Sequence, residues 1–220
     1  MRQLKIRHLQ KKASSKKGQA TVTAILNAAR SLVIEEGYAG LSMRAIATRS
    51  GIKIGNLTYY YASKTELLAD LVDAVIQSYV GWWDEVMADD TLSPEQQFVT
   101  ILTFILEDLG APETTGFFPE LWALANHEKN ASEAMGYLYQ LEHDMLVEMI
   151  GRLNPSLGLE DRKILAVHIL ASIEGHTVFI GYRKKWTQYA KPVSNILIHS
   201  YLSLIRSLTH EEIHTLQNSV

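Results

Sequence analysis

Apolar residues recur at three- and four-residue steps along most of the chain, the spacing of amphipathic helices. Val22, Ile25, Leu26, Ala29, Leu32 and Val33 make one stripe and predict a helix over 19–36, with Gly37 in the usual C-terminal place. A second stripe runs from Leu67 through Leu71, Val75 and Tyr79 to Trp82, Trp83 and Val86, one long helix. Asp89-Asp90 and Ser93-Pro94 break the pattern, and Pro94 suits the first turn of a helix over 94–109 that Gly110-Ala111-Pro112 ends. A short helix is expected over 117–127 and a longer one over 130–152, closed by Asn154-Pro155. Residues 159–185 are apolar on nearly every side from Ile164 to Ile180, so such a helix must be covered all round. One face can pack inward and the other against a second copy; an ordinary monomeric core is the alternative. Arg183, Lys184 and Lys185 would close this helix, where cations complement its dipole. Residues 193–208 repeat the apolar habit. The expected fold is all-α.

Between the first two stripes lies LSMRAIATRSGIKIGNLTYYYASK, residues 41–64. It reads as two short helices around a tight turn. Ser42 can cap the first. Ile46 and Ala47 are its buried side, and Ala47 is small enough for a second helix to cross closely. Gly51 stands where the chain turns with positive φ. Ile52 and Leu57 pin the second helix. The outward positions are then Lys53, Ile54, Gly55, Asn56, Thr58, Tyr59 and Tyr60, rich in donors, rings and charge and free of acids. A helix-turn-helix offers such a face to a DNA major groove; two amphipathic helices of a bundle, with Gly51 a plain C-cap, are the alternative. Ser63 and Glu66 have capping-box spacing and open the next helix.

Glu36-Gly37, Ser42-Met43-Arg44, Ile46-Ala47, Ser50-Gly51-Ile52, Gly55-Asn56-Leu57 and the run Tyr60 to Leu67 resemble the DNA-binding domain of the TetR family of transcriptional regulators, from about Ala24 to about Leu71. Many members carry Tyr directly after the Leu of the reading helix. This chain has Thr58, a departure that bears on base preference. The resemblance implies a three-helix head over 19–66, preceded by a basic arm over 1–18, and a helical effector-binding and dimerisation body over 67–220. It implies that Ser42, Met43 and Arg44 face DNA, with Arg44 the best candidate for a guanine contact. Lys53, Ile54, Gly55, Asn56 and Thr58 would line the groove, and Tyr59, Tyr60 and Lys64 would hold phosphates. It also implies a homodimer through segments 159–185 and 193–208, a double-stranded palindromic DNA operator, and a small-molecule effector of largely apolar character.

Charge sharpens the division. The net charge of −3 hides 12 Lys/Arg against 3 Asp/Glu in residues 1–66, and 9 against 21 in residues 67–220. A basic head on an acidic body suits a head that meets phosphate. Residues 1–18 carry seven Lys/Arg and no acid, either a DNA-reaching arm or a solvated tail. Cysteine is absent, which removes disulfide and thiolate chemistry and fits a reducing, cytoplasmic setting. No run of about 18 uninterrupted apolar residues argues for a membrane span, and the basic N-terminus lacks an apolar signal-peptide core.

No zincin pair, P-loop, nucleophile elbow or dinucleotide loop occurs, so neither an enzyme nor a bound cofactor is expected. His168, Glu174 and His176 have poor ligand spacing for a metal. The body's large soft residues Phe98, Leu102, Phe118, Trp122, Met135 and Tyr139 are candidate pocket walls, with His168, Ser172, Glu174 and His176 as polar groups to orient a ligand. The same residues serve equally as plain core. The expected function is a ligand-responsive DNA-binding regulator, a repressor. The alternative is a helical small-molecule-binding protein without a transcriptional role.

Overall fold

The computed structural model describes Leu4, Ile6 and residues 13–217, and most of the basic arm lies outside that set. The described residues form helices and a short 3₁₀ turn, with no strand. In chain order the helices are α1 (Lys16–Gly40), α2 (Met43–Ser50), α3 (Ile54–Tyr60), α4 (Lys64–Met87), α5 (Pro94–Leu109), α6 (Pro112–Ala125), α7 (Lys129–Leu153), α8 (Leu159–Ile180), α9 (Ala190–Ser207) and α10 (His210–Gln217). The chain divides into two compact units, Met1–Trp82 with Pro112–Leu138, and Trp83–Ala111 with Tyr139–Val220. The expected head over 19–66 lies wholly inside the first unit, which also holds α6.

In the first unit α1 is capped by Ser15, whose Oγ accepts from the Gly18 N–H, so the helix begins three residues before the predicted start. Its stripe is fully used: Val22, Ile25, Leu26, Ala29, Leu32 and Val33 are all buried. Gly37 interrupts the helix with φ 70° and ψ 178°, a conformation that glycine adopts without Cβ strain. α1 packs against α2 on one side and α6 on another. α6 starts at Pro112 rather than at 117, because a proline in the first helical position loses no intrahelical bond. Phe117, Phe118, Leu121 and Leu124 are its buried face.

In the second unit α5 opens with a full capping box between Ser93 and Gln96. The buried Gln97 amide donates to the carbonyls of Met87 and Asp89, holding the turn before it. α5 packs on α8 and α9. Asn154 donates to the carbonyls of Ile205 and Leu208, tying the end of α7 to the end of α9. Arg206 of α9 pairs with Glu95 of α5. α10 was not expected. It holds through the Thr209 N–H, which donates to Glu212 at 2.9 Å, buried Ile213, and His210 on Asp161 at 2.9 Å.

α8 ends at Ile180, five residues short of the predicted boundary, because Gly181 leaves helical geometry with ψ 177°. Arg183, Lys184 and Lys185 therefore lie in the following loop, Arg183 at φ 57°, and do not cap the helix. α8 is long and apolar enough, by length and composition, to cross a bilayer, with a mean hydropathy of 1.4. Its broken run, interrupted by His168, Glu174 and His176, still meets that test. Leu165, Ala166, Ile169, Ile173 and Ile180 bury one face within the unit, and 33% of the apolar stretch is buried in all.

Gly51 caps α2 at φ 71°, and a Cβ built there meets nothing within 4 Å. The cost of Gly51→Ala is therefore conformational alone, about 1–2 kcal/mol for a left-handed alanine. Urea unfolding should show a lowered midpoint with an unchanged m-value.

Candidate functional site

Ser42 accepts from the Ala45 N–H at 3.2 Å and starts α2 in register. After Gly51, the Ile52 N–H donates back to the Ala47 carbonyl at 3.0 Å, which closes the turn. Ile46 and Leu57 are fully buried and Ala47 nearly so, so both short helices are held by their apolar sides. Burying the Ile46 and Leu57 side chains contributes about 1.5–3 kcal/mol each. What remains outside is the sequence-predicted set. Ser42, Arg44, Lys53, Ile54, Gly55, Asn56, Thr58 and Tyr59 are exposed, and Met43 is half-buried. Tyr59 is 79% exposed and Ile54 45%, large apolar surface that a fold would otherwise cover. The Thr58 hydroxyl donates to the Gly55 carbonyl at 3.1 Å.

The cations of the motif have different neighbours. Arg49, one turn beyond Arg44, donates to Glu35 at 2.9 Å, Glu36 at 3.1 Å and Ser31 at 2.7 Å. It fastens α2 to α1. The Ser31 hydroxyl and the Arg49 guanidinium hold the Glu35 carboxyl below its ordinary value. Arg44 and Lys53 have no such pairing among the described residues. Sequence spacing carried no sign of the Arg49 network, which joins residues 13 to 18 positions apart.

Tyr60 and Lys64 are half-buried, as Met43 is. The Tyr60 ring meets Tyr59 edge-on at 5.1 Å, and its hydroxyl reaches Gly18 at the start of α1. Ser63 accepts from the Glu66 N–H, and Glu66 accepts from the Ala62 N–H, so the expected box forms one residue wider on its return bond. It starts α4 at Lys64, whose ammonium lies 3.9 Å from the centroid of the Tyr38 ring.

The pocket candidates fall into distinct surroundings. In the first unit Phe118 packs edge-on to Phe117 at 5.7 Å and against Tyr79 at 6.3 Å; Met135 is buried and Trp122 half-buried. In the second unit Phe98 and Leu102 are fully buried and Tyr139 half-buried. His168 is exposed, its ring edge-on to Tyr201 at 6.0 Å. Ser172 and His176 line an open apolar groove of about 520 Å³ on α8 and the start of α9, with Phe179, Trp186, Tyr189 and Val193. The Ser172 hydroxyl is spent on the His168 carbonyl at 2.9 Å, and His176 Nδ1 lies 2.7 Å from the Ser172 carbonyl. Glu174, by contrast, interacts with Glu142 of α7, a residue that the sequence reading did not single out. Burial pushes the Glu174 carboxyl up to about 7. Burial, and then the charge of Glu174, hold Glu142 well above the usual carboxylate range.

The geometry defines a class first: among the described residues, a helical protein whose head is a helix-turn-helix. Residues 25–71 match the family model described as bacterial regulatory proteins, tetR family. An uncharacterised HTH-type transcriptional regulator from Xanthobacter autotrophicus is 28% identical over 167 residues, 74% of this chain and 80% of that protein. The HTH-type transcriptional regulator PksA of Bacillus subtilis is 29% identical over 107 residues, 47% of this chain and 50% of that one. Among solved structures, a transcriptional regulator from Rhodococcus sp. Rha1 has a TM-score of 0.69 at 16% identity, covering 84% of this chain and 95% of its own. A TetR transcription regulator from Haloarcula marismortui has a TM-score of 0.64 at 20% identity, covering 84% and 94%. Residues 25–71 are thus similar to the tetR-family DNA-binding domain, and the chain as a whole carries the fold of these solved regulators.

The carboxyls of the second unit make a signed prediction. A group whose folded pKa is raised costs nothing below its unfolded value and removes stability as pH rises toward the folded one. For Glu174 that window runs from 4.5 to about 7. Glu174→Gln should therefore match the wild type in thermal midpoint near pH 4 and exceed it at pH 8.

Proposed function

We propose that this chain is a transcriptional repressor that binds a palindromic operator as a homodimer and releases it when a small, largely apolar molecule binds the body. The observation that carries the reading is the acid-free exposed face of the head: Arg44, Lys53, Ile54, Asn56, Thr58 and Tyr59 stand in solvent around a fully buried Leu57. Arg44 donates to guanine, and Lys53, Ile54, Gly55, Asn56 and Thr58 line the major groove. Tyr59, Tyr60 and Lys64 hold phosphates, which fix position but carry no sequence information.

A second copy accounts for the other exposed apolar surface. Val167 and Val178 are 57% and 59% exposed on α8, and Ile196 is 66% exposed on α9. Large apolar patches of this kind mark interaction sites. Two-fold pairing through α8 and α9 would cover them and place two heads on one duplex. The effector would act by favouring one of two head arrangements, a coupling that is reciprocal between ligand and DNA. The buried Phe98 and Leu102 and the half-buried Glu174 supply the chemistry for an apolar molecule with one polar group.

Selection from random duplex DNA at two salt concentrations should return one inverted repeat at both. Binding that yields no common sequence and vanishes with salt would refute the operator reading. On the recovered duplex, Arg44→Ala should weaken binding and relax preference at one position per half-site, by about 1–3 kcal/mol of discrimination. Val178→Glu should convert the dimer to monomer in light scattering; an unchanged mass would place the interface elsewhere.

A further inference from the structure

Lys64 follows the reading helix directly and begins α4. Its long stem is not left to solvent. The ammonium rests on the Tyr38 ring, 3.9 Å from the centroid. Tyr38 is itself held from below. The break at Gly37 takes the Tyr38 N–H out of the helical ladder, and that N–H donates to the Glu120 carboxylate of α6 at 2.8 Å. One turn earlier on α6, Gly116 lies so close to α1 that a Cβ there would come within 3.1 Å of the Ile34 side chain. Phe117, Leu121 and Leu124 of α6 share a small cleft with Tyr38 and Leu68. All of these residues belong to one compact unit.

We propose that Tyr38 and Glu120 are positioning residues for DNA binding, the ring holding the Lys64 ammonium for a backbone phosphate and the carboxylate holding the ring. This rests on the reading above that Lys64 meets phosphate. A lysine fixed by a phosphate loses the rotamer freedom of four carbons. An aromatic face removes part of that loss beforehand by attracting the cation through its quadrupole. A ring is neutral, so it orients the ammonium without neutralising it, as a carboxylate would. The ammonium has three donors, and a ring on one side leaves others for phosphate oxygens. The arrangement also puts α6 one hydrogen bond and one ring away from a phosphate-binding group.

The test measures affinity of the full chain for a random-sequence duplex at low salt, where phosphate contacts dominate. Tyr38→Met, Tyr38→Phe and Glu120→Ala are compared in the wild type and in Lys64→Met, with thermal midpoints alongside. Tyr38→Met should weaken binding roughly two- to fivefold, the worth of an exposed cation–π contact. Tyr38→Phe, which keeps the ring, should bind as the wild type does. Glu120→Ala should weaken binding by no more than Tyr38→Met. Each loss should vanish in Lys64→Met, since there is then no ammonium to position. Losses of equal size in both backgrounds would overturn the proposal and leave Tyr38 a purely structural residue. If Tyr38→Met does not fold, the Glu120→Ala pair decides on the same criterion. Lys64→Met itself should lower the salt slope by about 0.9. No change in affinity or slope would defeat the phosphate reading and the positioning with it; a Lys64 effect with additive Tyr38 losses would defeat the positioning alone.

Discussion

The burial of Ile46, Ala47 and Leu57 is what the reading head depends on. α2 has eight residues and α3 seven, lengths at which an isolated helix is marginal in water. They persist because their apolar sides leave water while the backbone between them turns at Gly51. Replacing Leu57 with a small residue would remove about 2–5 kcal/mol, a large share of the stability of any domain. Arg49 adds a polar fastening to α1 through Glu35 and Glu36, but both acids are exposed, so apolar burial carries the larger part. The same constraint produces function. Once Leu57 faces inward, Ile54, Thr58 and Tyr59 have nowhere to face but solvent, and the head presents them there.

α8 shows the opposite use of apolar surface. Leu165, Ile169, Ile173 and Ile180 are buried within the second unit, while Ile164, Val167, Val178 and Phe179 stand exposed on the same helix. A single unit of this size covers only one face of such a helix. The groove beside His176 belongs to this uncovered region. Glu174 sits on α8 among these two faces with its carboxyl shifted toward neutrality by burial, so acidity in this unit is linked to how tightly it packs.

Much of this was legible in residue patterns. The stripe of α1, the Ser42 cap, the turn at Gly51 and the Ser63–Glu66 box all follow from neighbours three or four positions apart. So did the exposed face of the head, because fixing Leu57 inward assigns every other position of a short helix. The signal for α10 was also present, in Thr209 and Glu212 at capping-box spacing, although its one buried apolar residue gave it no stripe. The start of α6 was misplaced because Pro112 reads equally as the end of one element and the beginning of the next. The end of α8 was misplaced because apolar character continues past Gly181 into Tyr182 and Trp186, where the backbone has already left the helix.

The sequence by itself determined the main helices, the inward stripe of α1 and of the two short helices, and the character of the reading head, because these rest on contacts within a turn or two of the chain. Only the tertiary structure decided which cations are spent on the fold and which face solvent. Arg44 and Arg49 stand on the same short helix with the same charge, and packing against α1 engages one with Glu35 and Glu36 and leaves the other exposed. It also brought Glu120 to Tyr38, across 82 positions, and Tyr38 to Lys64. Such pairings depend on where packed helices come to lie, and no periodicity along the chain records that.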